Sequence, residues 1–149
     1  PFENQSLRRL RVCRGGMKNR VTKVEQITTL IIAEPIRLDP DRLGELYCQL
    51  GEPSAEDVIC RAIEELAVRL THCDRLWRRN KRDELRKSAR SLIAISDQIG
   101  MTALARVAAD VTHAIDADDS VAEAATLSRL IRIGERSLTA VWDIQDLSV

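Results

Sequence analysis

Residues 80–100 read NKRDELRKSARSLIAISDQIG, and this stretch decides the fold. On a helix turning ~100° per residue, Leu85, Ala89, Leu92, Ser96 and Ile99 fall in one stripe at alternating steps of four and three. That spacing is the seam of a helix packed into a bundle. The other side carries Arg86, Arg90, Ile93, Ala94 and Asp97, and Arg82, Arg86 and Arg90 form a basic ridge at four-residue steps. Gly100 comes next as the residue that ends the helix, because it is free to take positive φ.

The rest of the composition agrees with a helical reading. The chain has 149 residues, one domain's worth, of which 44% are hydrophobic and only 3% aromatic. A core must therefore come from Leu, Ile, Val and Ala, which favours helices over aromatic-rich strands. Net charge is zero, but residues 1–37 carry +5 and residues 38–149 carry −5. The acidic balance of the larger part argues against general nucleic-acid binding. Cys13, Cys48, Cys60 and Cys73 lack the paired spacing of a zinc site, and they read as reduced thiols acting as small hydrophobes. No metal or other cofactor is expected. No apolar run reaches the ~20 residues a membrane helix needs, and no leader pattern opens the chain, so the expected location is cytoplasmic, with no membrane contact.

Residues 1–37 read as an extension and packing segment, and residues 38–149 as the folded domain. Gly15 and Gly16 stand directly before Met17, so Met17 is the expected native start, with residues 1–16 an added or start-site extension; the other reading is a genuine basic arm. Residues 17–38 mix helical spacing at Val24, Ile27, Leu30 and Ile31 with several β-branched residues, and read as a short helix or an extended packing segment. Asp39 and Pro40 then start a short helix lined by Leu43, Leu46, Tyr47 and Leu50. Ser54 with Asp57 predicts a capping box opening a long helix striped by Ile59, Ala62, Ile63, Leu66, Leu70, Cys73 and Trp77. After Gly100, Leu104, Val107, Ala108, Val111 and Ile115 define a further helix. Asp119 and Ser120 cap the last, striped by Leu127, Ile131, Gly134, Leu138 and Val141. Gly134 costs about 1 kcal/mol inside a helix, which predicts close approach of a neighbour there. A short leading helix and four longer ones with short links predict an all-α, antiparallel four-helix bundle.

Residues 89–100 resemble the signature helix of histidine-containing phosphotransfer (HPt) domains, which reads A-H-x-L-K-G-S-x-x-x-[LI]-G. Ala89, Leu92, Ile99 and Gly100 match it. The position of the phosphorylated His is Arg90, that of the nearby Lys is Ile93, and that of the following Gly is Ala94. The resemblance covers roughly residues 38–142 and implies the same bundle, in a degenerate form. Arg90 cannot attack a phosphoryl group, because a guanidinium stays protonated and offers no lone pair. Ile93 brings no charge to phosphoryl oxygens. Ala94 adds a methyl where the family keeps the surface clear.

The expected function is a non-catalytic signalling module that binds a receiver domain or a histidine kinase of a phosphorelay without carrying phosphate. The expected docking residues are Arg82, Arg86, Arg90, Ile93, Ala94 and Asp97, with Ile93 as an exposed apolar contact. Residues 75–90 hold eight basic side chains and two acidic ones, which suits an acidic receiver pocket; the bland reading is favourable charge at a helix end. Nucleic acid is disfavoured because Trp77, the one aromatic among these charges, lies on the buried stripe. His72 and His113 are the only substitutes for the phospho-acceptor. Both point away from their stripes, and both lack the Lys and Gly at the family spacing. The remaining rivals are an active phosphotransfer protein using one of them, and a helical adaptor outside two-component signalling.

Overall fold

Asp39 caps a helix as the sequence predicts: its Oδ1 accepts from the amides of Asp41 at 3.0 Å and Arg42 at 3.4 Å, and Pro40 occupies the first turn. The computed structural model describes residues 34–36 and 38–146, with side chains up to Val141. The readings of Met17, Cys13 and the segment before residue 34 lie outside the described residues. Among the described residues five helices succeed one another: α1 (Pro40–Leu50), α2 (Glu52–Arg78), α3 (Arg82–Gln98), α4 (Thr102–Asp116) and α5 (Ser120–Asp146).

Helices α2 to α5 form an antiparallel four-helix bundle. Each packs on the next, and α5 closes the ring against α2, while α1 lies on α2. The core is aliphatic: Leu66, Leu85, Leu92, Leu104 and Leu130 are fully buried, each contributing about 1.5–3 kcal/mol relative to exposure. The seam residues Leu85, Ala89, Leu92 and Ser96 of α3 are buried, and so is Ile99 at its C-cap. Gly134 is the predicted point of close approach, since a Cβ there would collide with both methyl groups of Leu70 on α2. Among the described residues no helix is long and apolar enough to cross a membrane.

Three of the links are built alike. Asn80 (φ 55°), Gly100 (φ 75°) and Asp118 (φ 54°) each sit in the left-handed region just past a helix end. The amide after each reaches back to a helical carbonyl in the preceding turn: Lys81 to Leu76 at 2.9 Å, Met101 to Ser96 at 2.8 Å, Asp119 to Ala114 at 3.1 Å. These are Schellman terminations, and each satisfies carbonyls that the helix end leaves open. At Gly100 the conformation is reinforced by crowding, because a Cβ would lie 2.9 Å from the Asp39 carbonyl oxygen. The Asp39 amide donates to the Gly100 carbonyl at 2.8 Å, and Leu38 bridges to Met101.

Four readings need correction. No capping box forms at Ser54, which lies inside α2; Gly51 redirects the chain and Pro53, with its fixed φ, stands in the first turn. Trp77 is 43% exposed and Leu76 is buried in its place, because the stripe runs out at the end of α2. On α5 the buried side is rotated toward Leu130, Ile133 and Ser137, leaving Ile131 and Leu138 only half-buried. Of the described cysteines only Cys73 is a core residue, hydrogen-bonded to Ser88 at 3.2 Å, while Cys48 and Cys60 are exposed. Burial pushes the Cys73 thiol up, with Ser88 acting in the opposite direction.

Candidate functional site

Helix α3 lies between α2 and α4, so its buried arc is wider than one stripe. Ser88 and Ile95 lie on the flank toward α2, and Arg82, Arg86 and Ile93 on the flank toward α4, about 60–100° from the seam centre. Ile93 is therefore half-buried and packed against the core, contrary to the expectation of an exposed contact. Arg90, Ala94 and Asp97 face outward and are exposed.

The basic ridge splits in two. Arg86 grips Asp116 of α4 with both ends of its fork, Nε to Oδ1 at 2.5 Å and Nη2 to Oδ2 at 2.9 Å. These hydrogen bonds hold the Asp116 carboxyl below its ordinary range, and the positive field of Arg86, Arg90 and His113 adds to the effect. Arg82 bridges two acids: its Nη1 donates to Asp118 in the α4–α5 turn, and its Nε donates to Glu123 of α5 at 2.9 Å. Glu123 is buried, whereas the Asp118 side chain is 84% exposed. Arg90 is the ridge residue left over, with no hydrogen bond or ion pair among the described residues.

Sequence reading missed the acidic half of this arrangement. Glu123 was the available signal, because it stands four and seven residues before Leu127 and Leu130, on the buried side of α5. A lone carboxylate on an apolar stripe calls for a cationic partner. Asp116 and Asp118 gave no such signal, since their pairing depends on the antiparallel register of α3 and α4.

His72 and His113 are both exposed, on α2 and α4. Each has an acid nearby: the field of His72 reaches Glu84, and that of His113 reaches Asp116. A groove of about 440 Å³ lies elsewhere, lined by Glu34, Thr102, Arg106, Val107, Arg129 and Ile133. Its Arg129 is held by Glu34 at 2.8 Å and Asp110 at 3.5 Å. No group of His, Cys, Asp and Glu among the described residues is arranged to hold a metal ion. No protein-family model, curated protein or solved structure matches the chain. The resemblance to HPt domains is carried by the sequence of residues 89–100 alone.

Proposed function

We propose that this chain is a phosphate-free docking module of the HPt type, which seats a receiver domain or a histidine kinase on the outer face of α3. The observation that carries the reading is Arg90. It stands exposed and unpaired where the resembled family presents its phospho-accepting His, with Ala94 one turn on and Asp97 at the edge. Its permanent charge suits the acidic pocket of a receiver, and its lack of a lone pair removes transfer from the exchange. Docking without transfer makes the module a competitor or a scaffold in the cytoplasm, not an enzyme.

Titration of receiver domains from the host tests this. Arg90→Glu is expected to weaken binding most at low salt, because charge steering is screened by ions. Ala94→Asp is expected to weaken it at every salt concentration, by placing a charge inside the contact. Ala94 is the better probe than Ile93, whose packing against the core makes substitution there a stability change as well. Binding unaffected by both variants, or no binding to any receiver or kinase fragment, would hand the case to a generic helical adaptor. A phosphorylated receiver should leave no acid-labile label on the protein; label lost in His72→Ala or His113→Ala would instead identify an active phosphotransfer protein.

A further inference from the structure

Arg82 and Arg86 were expected to meet a partner, and in the folded chain they meet the protein's own acids. We infer that the α4–α5 junction is a resident competitor for the docking ridge: Asp116 at the end of α4 and Asp118 in the turn occupy Arg86 and Arg82, and give way to the carboxylates of an acidic partner seated at Arg90. This rests on the docking reading given above and adds its regulation.

Three features support exchange over a fixed clamp. The pairs are accessible: Arg86 and Asp116 have side chains 31% and 46% exposed, and Asp118 is almost fully in solvent. Exposed ion pairs of this kind add little to stability, so replacing one carboxylate by another costs the fold little. Next, the start of α3 stays anchored when Asp118 leaves, because Arg82 keeps its bond to the buried Glu123. Finally, Asp118 holds its left-handed backbone position as Asp and Asn readily do, and the turn is closed by the Asp119 amide on the Ala114 carbonyl, so its shape does not depend on the Arg82 contact. The three arginines are four residues apart, about 6 Å per step along α3. A partner with several carboxylates on Arg90 therefore has Arg86 within reach of the next one.

Poly-L-glutamate is a suitable probe, with the full chain and its variants titrated at low and moderate salt. The wild type is expected to bind weakly. Asp116→Asn with Asp118→Asn is expected to bind about tenfold tighter, with a steeper salt dependence from the added contacts. Adding Arg86→Gln should remove most of that gain. Glu56→Gln with Glu64→Gln makes the same change in net charge on the outer side of α2, and should shift binding by less than about twofold. Circular dichroism and melting confirm that each variant is folded. No gain on releasing the turn, an equal gain from the α2 control, a gain that survives Arg86→Gln, or no binding by the released variant would each overturn the inference. If the gain stands while receivers and kinases fail to bind, the exchange holds and the receiver reading falls.

Discussion

Gly134 is out of keeping with an ordinary helix position, and it was legible in the sequence for that reason. A glycine in mid-helix carries a propensity cost that only packing explains, and the packing is there in Leu70. Gly134→Ala recovers about 1 kcal/mol of propensity but forces the Leu70 methyls aside, a strain of about 1–3 kcal/mol in a filled core. The expected result is a net loss of about 1 kcal/mol, read as a lower Tm. A double-mutant cycle with Leu70→Ala checks the cause: the Gly134→Ala penalty should vanish once Leu70 is cut back. The role proposed for Arg90 rests on a family pattern, since nothing in its own neighbourhood marks an exposed arginine as special. Ile93 was misread because a stripe drawn for one neighbour underestimates the arc buried by two.

The seams and ends of the elements were legible unevenly. The apolar spacing of α3 carried through to all five buried residues, because alternation at three and four depends on one helix alone. Terminations depend on the residues just past the helix and on the backbone they meet. Gly100 was visible as an end; Asn80 and Asp118, which do the same job without being glycine, were not. The three are expected to respond differently to substitution. Gly100→Ala adds both left-handed strain and a clash with the Asp39 carbonyl oxygen, and should cost more than ~1–2 kcal/mol in chemical denaturation. Asn80→Gly should be neutral or slightly stabilising.

The α3–α4 seam also has a pH signature. Arg86 depresses the folded-state pKa of Asp116, so this group stabilises the fold above the ordinary carboxylate range. That contribution is lost as pH falls through the lowered value. Asp116→Asn should therefore lower stability at neutral pH and flatten the acid limb of a stability–pH curve, so that the two proteins converge at low pH. An acid limb identical in both proteins would show the pair to contribute nothing.

At the scale of the molecule, four amphipathic helices with short links leave few ways to bury every stripe, which is why the bundle could be read from one sequence. The rotation of α5 and the acidic contacts of Arg82 and Arg86 could not, because both come from how the helices settle against each other. The closed ring has a kinetic side as well. Three of its four seams join helices adjacent in the chain, and each can form as a local hairpin through a three-residue turn. The seam of α2 with α5 joins segments on either side of two whole helices, so its contacts are the ones with the entropy of a long loop to overcome. That order makes the α2–α5 seam the last to close and the first to open. In stopped-flow measurements the damage done by Gly134→Ala should appear almost wholly as faster unfolding, with the refolding rate unchanged. A mutant that refolds slowly would mean that the ends of the ring meet before the hairpins between them are complete.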